Sequence, residues 1–432
     1  SLLTSDCKFK WIDSLLEGAV TKPKGQSQAL TKFDKKAISR RWGKLIAIGI
    51  ILAGLIGSMV VAAPIMGVGM SLSSLLNPLV TSGLEAISAP QWLISLICST
   101  LITALGWTLS MLGFVFGINL VFGLIEEVGY MARISYIFDN AMSKLGLQGK
   151  SVMPMLCSFG CTIGGAAGTR VIDSWGQKVL TIALLWAVPC GATWAVVPTL
   201  ANAFFGWGGI LVVLGLFLVM FFHMMITAKI FGKKLSPKAE RTGLIMELPP
   251  YHKPRWGALF HQTLNRVWSI FKKAFVVVFG VAAVFWLLSY STSGVASDSI
   301  LYKVGVFIEP ATKTFGMGWQ TFMAFVSSMV SKEAVLGVLS ALFTGSGTLF
   351  DSTTGAAVAD AGIMDILVNT ISKPEALAFI FAVTYNVPCV MAVASTYQES
   401  HSLKWTIRIV LYYIASALLL SFLVFHIASI FC

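Results

Sequence analysis

Charge is scarce in this sequence: Asp, Glu, Lys and Arg make up 12% of its 432 residues, against 56% hydrophobic ones, and the mean hydropathy is +0.81. A soluble domain is about a quarter charged, so this scarcity excludes an ordinary soluble fold and leaves an integral membrane protein. Alternating ten-residue segments of outer-membrane type are missing too, which excludes a β-barrel and leaves an all-α chain. The five histidines (His223, His252, His261, His401, His426) are dispersed without zinc-ligand spacing. Gly149-Lys150-Ser151 has the end of a phosphate-binding loop but lacks its beginning, because Lys144 stands where the first glycine belongs. No nucleophile elbow or other catalytic arrangement accompanies the serines. Nucleotide hydrolysis by these residues, and enzymatic function in general, are therefore not expected.

Cysteine is present but unpaired in pattern. Seven thiols (Cys7, Cys98, Cys157, Cys161, Cys190, Cys389, Cys432) make an odd number, mostly inside apolar runs, which excludes a disulfide framework. A signal peptide is not expected in the opening residues, which are too polar and too long for one. The chain opens on Ser1 rather than Met, and this predicts a fragment from which something upstream has been removed.

What charge there is lies in two places. Ten of the 31 Lys and Arg residues fall in 1–44 and ten more in 229–273, while 45–132 holds none. Such clustering beside apolar runs predicts that 1–44 and 231–272 are cytoplasmic, in contact with the lipid surface rather than with nucleic acid. The domains expected are a cytosolic lead-in 1–44, a first membrane half 45–230, a basic loop 231–272 with an amphipathic helix at 259–271, and a second membrane half 273–432. About eight or nine apolar runs are long enough to span a bilayer. The first should end at Pro64 and Gly67, and later ones cover about 178–205, 209–230, 274–290, 319–343, 375–397 and 403–430. Tyr130–Lys150 is amphipathic and should lie along the inner interface. The polar stretch 344–372 lacks Lys and Arg and should be external.

Ser151–Arg170 is the centre of the pattern. Pro154, Gly160, Gly164 and Gly165 interrupt helix there, and Met153, Met155, Cys157 and Cys161 lie among them. Broken backbone at membrane depth must be buried in protein or line a wet cavity, and such segments mark the binding sites of transporters. A packing interface of small residues is the competing reading. Cys161, Cys190 and Cys389 each sit beside a breaker, Gly160, Pro189 and Pro388 respectively. A thiolate at a freed helix N-terminus is stabilised by the helix dipole and prefers transition metals to Mg²⁺ or Ca²⁺. A buried structural thiol is the alternative for any one of them. Intramembrane carboxylates at Glu126, Glu127 and Glu333 are further candidates. Against them stand an interfacial pair neutralised by Arg133 or Arg170, and an internal Lys332–Glu333 ion pair. A faint repeat pairs the Cys161 segment with Val387-Pro388-Cys389, and Glu126 and Glu127 with Glu333.

Ile125–Cys161, Met246–Tyr251 (MELPPY), Val330–Gly337 (VSKEAVLG) and Tyr385–Ser395 (YNVPCVMAVAS) resemble, in order, motifs of FeoB, the bacterial ferrous-iron transport protein B family. The resemblance covers nearly the whole chain. It implies two related gate halves built on broken helices in the bacterial cytoplasmic membrane, with Fe²⁺ as the transported ion and no resident cofactor. The family's path cysteines map onto Cys161, Cys190 and Cys389, its acidic positions onto Glu126, Glu127 and Glu333, and Met155, Cys157 and Asn386 join the path. It also implies an N-terminal GTPase domain (with its GTP and Mg²⁺), a small FeoA-like partner, and room for a homo-oligomer. Two departures stand out: Thr162-Ile163-Gly164 replaces the family's Asn-Val-Pro, and Thr193-Trp194 follows Cys190 where an Arg is frequent. A carrier of another divalent metal (Mn, Zn) or of a nucleoside-like solute is the alternative. A membrane metalloenzyme and a scaffold rank behind it.

Overall fold

The computed structural model describes residues 36–39, 42–87, 90, 93, 94, 97, 102–237, 251–289, 300–332, 334–344 and 367–431. Glu333, Cys7, Cys98, Cys432, most of the lead-in, residues 238–250 and most of the polar stretch 344–372 lie outside the described residues. Among those described there are helices and no strands. Four stretches are long and apolar enough to cross a membrane: Trp42–Ala86, Gly191–Leu235, Lys373–Ser400 and Leu403–Ile430. A fifth is added if Leu112–Glu127 and Tyr130–Lys144, bent by 90° at their junction, count as one broken span. The chain is thus an all-α polytopic membrane protein.

The helices are α1 (Trp42–Ala86), α2 (Thr103–Glu127), α3 (Tyr130–Lys144), α4 (Val152–Gly160), α5 (Thr162–Gly168), α6 (Trp175–Leu185), α7 (Gly191–Phe205) and α8 (Gly209–Leu235). They continue as α9 (Trp256–Ser289), α10 (Ile300–Thr314), α11 (Trp319–Ser328), α12 (Ala334–Thr344), α13 (Lys373–Tyr385), α14 (Val390–Ser400) and α15 (Leu403–Phe431). One pattern occurs twice: a long helix, a short one of 15 residues, two broken pairs, and a long closing helix. It runs over α2–α8 and again over α9–α15, with α3 and α10 as the short helices.

The same local device ends both short helices. Gly146 and Gly316 have φ of 82° and 72°, the left-handed region where only glycine is unstrained. The next amide reaches back five residues, from Leu147 to Met142 O and from Met317 to Thr312 O, which closes a Schellman motif. From this anchor the repeat aligns Val188-Pro189-Cys190 with Val387-Pro388-Cys389. Cys161 then corresponds to the α11–α12 break, near Lys332, and not to Cys389 as the sequence pattern suggested. The Glu126–Glu333 pairing fails with it, because Glu126 ends α2, whose counterpart is α9.

Three expectations about boundaries are corrected. α1 continues through Pro64 and Pro78 for 45 residues. Each proline removes only one helical hydrogen bond, and the apolar run on both sides keeps the helix going. At about 1.5 Å per residue it is roughly 67 Å long, well beyond a hydrocarbon core of about 30 Å. The amphipathic segment 259–271 and the span that follows are one helix, α9, since no breaker stands between Phe271 and Ala274. The expected spans 178–205, 319–343 and 375–397 are each split into two half-helices, which are too short to cross alone.

The half-helices α6 and α13 form the interior. Val179, Leu180, Ile182, Ala183, Leu184 and Leu185 on α6 are fully buried, as are Ala378, Ile380, Ala382, Val383 and Tyr385 on α13. Lipid is as apolar as leucine, so packing and polar ties rather than hydrophobic drive hold such helices together. Those ties cross between the repeats. The Tyr413 hydroxyl on α15 donates to Ala183 O on α6 at 2.6 Å, and the Tyr385 hydroxyl on α13 donates to Leu216 O on α8. His223 on α8 packs in the core among the rings of Tyr385, Tyr412 and Tyr413.

Candidate functional site

Among the described residues, half-helices are parted at four places: Cys161 between α4 and α5, residues 186–190 between α6 and α7, residues 329–332 ahead of α12, and residues 386–389 between α13 and α14. Each of the three cysteines singled out in the sequence is the N-cap of the half-helix after its break. The backbone is extended at Cys161 (φ −148°), Cys190 (φ −79°, ψ 173°) and Cys389 (φ −175°). Their carbonyls start the next helix, accepting from Gly165, Trp194 and Ala392. Pro189 and Pro388 produce this geometry directly. A proline disfavours helix at the residue before it, so α6 and α13 stop short and the cysteine after the proline begins the next turn.

Two other expected breakers do not break. Pro154 is the third residue of α4, where its missing amide hydrogen is one that a first turn leaves unpaired in any case. Gly164 lies inside α5, which runs on through Gly168. Gly160 closes α4, directly before the break at Cys161.

All four described thiols lie outside any disulfide and are half-buried. The Cys389 Sγ accepts the Ala392 amide at 3.3 Å, and the Cys190 Sγ lies 3.6 Å from the Thr193 hydroxyl, one of the residues at which the sequence departs from the motifs it resembles. Cys157 lies within electrostatic reach of Cys161, Glu126 and Arg266. Met155 is buried in the core. The half-helices capped by Cys161 and Cys389, α5 and α14, pack against each other across the repeats, and α7 packs against α13. Among the described residues no three His, Cys, Asp or Glu side chains converge into one chelating cluster. The sulfurs are distributed along the breaks.

Asn386 stands fully buried at the α13–α14 break. Its amide nitrogen donates to the Ser328 hydroxyl (3.1 Å) and to Phe325 O (3.4 Å), and its oxygen accepts the Val387 amide at 2.7 Å. The carbonyl ends of the half-helices are also served. Ser158 donates its hydroxyl to Leu185 O at 3.3 Å, and Lys332 donates its ammonium to Thr384 O at 2.9 Å. Leu185 and Thr384 occupy equivalent positions, each five residues before its Val-Pro cysteine.

The glutamates separate. Glu126 is exposed at the end of α2. Glu127 is paired with Arg255, Nε to Oε1 at 3.1 Å, and with neither Arg133 nor Arg170. Arg133 is buried, donates to Gly129 O at 2.8 Å and stacks 4.0 Å over the Tyr251 ring. The α2–α3 bend and the end of the basic loop thus meet at two points. Arg170 pairs instead with Glu399, whose other oxygen takes Lys178, and Trp175 donates to Ser400 O at 2.9 Å. Sequence reading missed Glu399 and Lys178. Both are ionisable residues at the ends of apolar segments, and that rule alone would have flagged them.

Comparison with known proteins follows the same outline. A family model described as "Nucleoside recognition" (Gate) matches residues 108–204 and 271–402, the stretches that carry α2–α7 and α9–α14. A second, described as "Ferrous iron transport protein B C terminus", matches residues 213–266. A protein named Fe(2+) transporter FeoB from Staphylococcus aureus is 28% identical over 98% of this chain and 62% of its own length. One of the same name from Methanocaldococcus jannaschii is 27% identical over 94% of this chain and 60% of its own. A third, from Legionella pneumophila, is 29% identical over 62% and 37%. The chain therefore spans about three-fifths of the length of the first two relatives. No solved structure matches it. Because the Gate matches take in more than half of the chain, and the remaining match and all three relatives carry one name, the chain belongs to the ferrous iron transport protein B family.

Proposed function

We propose that this chain is the permease core through which ferrous iron enters the cytoplasm, with its path along the helix breaks at Cys161, Cys190 and Cys389. One observation carries the reading: all three thiols cap half-helices at breaks, two of them at equivalent positions in the two repeats. Thiolate donors favour Fe²⁺ over the hard, abundant Mg²⁺ and Ca²⁺. Conduction also needs several weak sites rather than one tight cage, which suits thiols spread along three breaks. Met155, Cys157 and the Asn386 oxygen extend the donor set. Glu126, within electrostatic reach of Cys157, offsets part of the incoming charge. Glu333 belongs to the path on the family resemblance alone.

On this reading the bilayer is the bacterial inner membrane and residues 1–44 and 231–272 face the cytoplasm. Transport is coupled there to a GTP-hydrolysing domain and to a small FeoA-like protein. The docking of Tyr251 and Arg255 on the α2–α3 bend is the contact through which such a signal would reach the membrane helices.

The test is Fe²⁺ uptake by cells expressing the full-length protein with Cys161→Ser, Cys190→Ser or Cys389→Ser, at matched membrane abundance. Serine keeps the cap but removes the soft donor, so uptake falls in each. Unchanged uptake in all three refutes the thiol path. Competition by nucleosides, without metal binding to the purified protein, refutes the cargo.

A further inference from the structure

Among the described residues of the second repeat, Lys332 is the most deeply buried cation, at 2% exposure, and it sits at the α11–α12 break. Its ammonium donates to Thr384 O, in the last turn of α13. A helix end of this kind carries about half a negative charge and carbonyls without helical partners. At the α13–α14 break that follows, Asn386 donates to Phe325 O and to the Ser328 hydroxyl. In transporters built on broken helices, half-helix C-termini and unwound carbonyls are where alkali coupling ions bind, and hard oxygens are their donors. Here a lysine of the chain occupies that kind of seat. The equivalent carbonyl of the first repeat, Leu185 O, accepts the neutral Ser158 hydroxyl and the Val188 amide. The charge is thus specific to one repeat and not a generic way of capping the half-helix.

A buried ammonium is costly unless several oxygens replace its water. It is also compact and point-like, with three donors, which makes it a close mimic of a hydrated alkali ion's charge. We propose that Lys332 is a tethered substitute for a coupling cation: its ammonium fills the alkali-ion seat at the α13 carbonyl end, so that the core works without Na⁺ or K⁺ bound there. This goes beyond the ferrous-iron reading and does not depend on the identity of the cargo.

The experiment is thermal unfolding of the purified full chain in detergent, in chloride salts of Na⁺, K⁺ or N-methylglucamine at constant ionic strength. Wild type unfolds at one midpoint in all three. Lys332→Ala, which vacates the seat, unfolds several degrees lower in N-methylglucamine and recovers saturably with Na⁺ or K⁺. Lys332→Met, which refills the space with apolar atoms, is lowered and does not recover. A saturable rise of the wild-type midpoint with Na⁺ or K⁺ would overturn the proposal, as would a Lys332→Ala midpoint equal in all three salts. Should Lys332→Ala fail to accumulate, the same titration on Lys332→Ser decides: recovery supports the proposal and a flat response overturns it. The readout is stability in alkali salts, so its failure is separable from failure of the cysteine uptake test.

Discussion

The Glu399 cluster allows a prediction in which distance and exposure disagree. Arg170 makes the shorter contacts, 2.6 Å from Nη2 and 2.9 Å from Nε to Oε1, while the Lys178 ammonium is 3.2 Å from Oε2. By distance alone Arg170 should matter more. Its side chain is 71% exposed, however, against 17% for Lys178 and 6% for Glu399. An exposed ion pair is worth about 0–1 kcal/mol, because water and salt screen it. Breaking a fully buried pair costs about 3–5 kcal/mol, and a mostly buried one should fall near 2. Double-mutant cycles on the purified protein, using Glu399→Gln with Lys178→Met and with Arg170→Gln, separate the two arms. Coupling of about 2 kcal/mol is expected for Lys178 and about 0.5 kcal/mol for Arg170. Raising salt from about 0.1 M to 1 M shortens the screening length from about 10 to 3 Å, so the Arg170 coupling should vanish and most of the Lys178 coupling should persist. A larger coupling for Arg170, or loss of both in salt, would refute the reasoning.

Two further substitutions test the packing. At Gly176, the second residue of α6, an added Cβ would run into the backbone carbonyl of Leu235 at the end of α8, whereas at Gly164 it would meet nothing. Gly176→Ala should therefore lower the melting temperature sharply and Gly164→Ala hardly at all, and equal effects would show that α6 and α8 can part without cost. At the α2–α3 bend, Tyr251→Ala should cost about 1–2 kcal/mol through loss of the ring over Arg133. Tyr251→Phe should cost less in the same unfolding assay, and equal losses would mean that the hydroxyl, not the stacked ring, holds the loop.

How much could be read from the sequence follows from the range of each effect. Membrane class and helix content come from composition and were legible at once. The breaks at Cys190 and Cys389 were legible because proline acts on its immediate neighbour. Pro154 and Pro64 misled for the same reason, since the effect of a proline depends on where in the helix it falls, and the helix start is set by neighbouring packing. The pairings were not legible. Arg170 and Glu399 are 229 residues apart, and Arg255 and Glu127 are 128 apart; any basic residue near an interface could have served. The repeat was misaligned because identity survives only in Val-Pro-Cys, while the stronger markers are conformational: the glycines at 146 and 316 and the order of half-helices.

Realigned, the duplication gives two kinds of break, each present twice, and their occupants differ in a way that bears on selectivity. Three present a thiol, and the fourth presents Lys332 with its ammonium on a helix carbonyl end. A scaffold with four identical breaks would offer hard backbone oxygens at each, a donor set that suits alkali and alkaline-earth ions. Here one carbonyl end is filled by a side chain of the protein and the other by the Ser158 hydroxyl, which leaves sulfur as the donor type that distinguishes the breaks. On the proposed reading, selection against hard cations is then built twice: once by supplying soft ligands, and once by closing the oxygen seats that those ions would use.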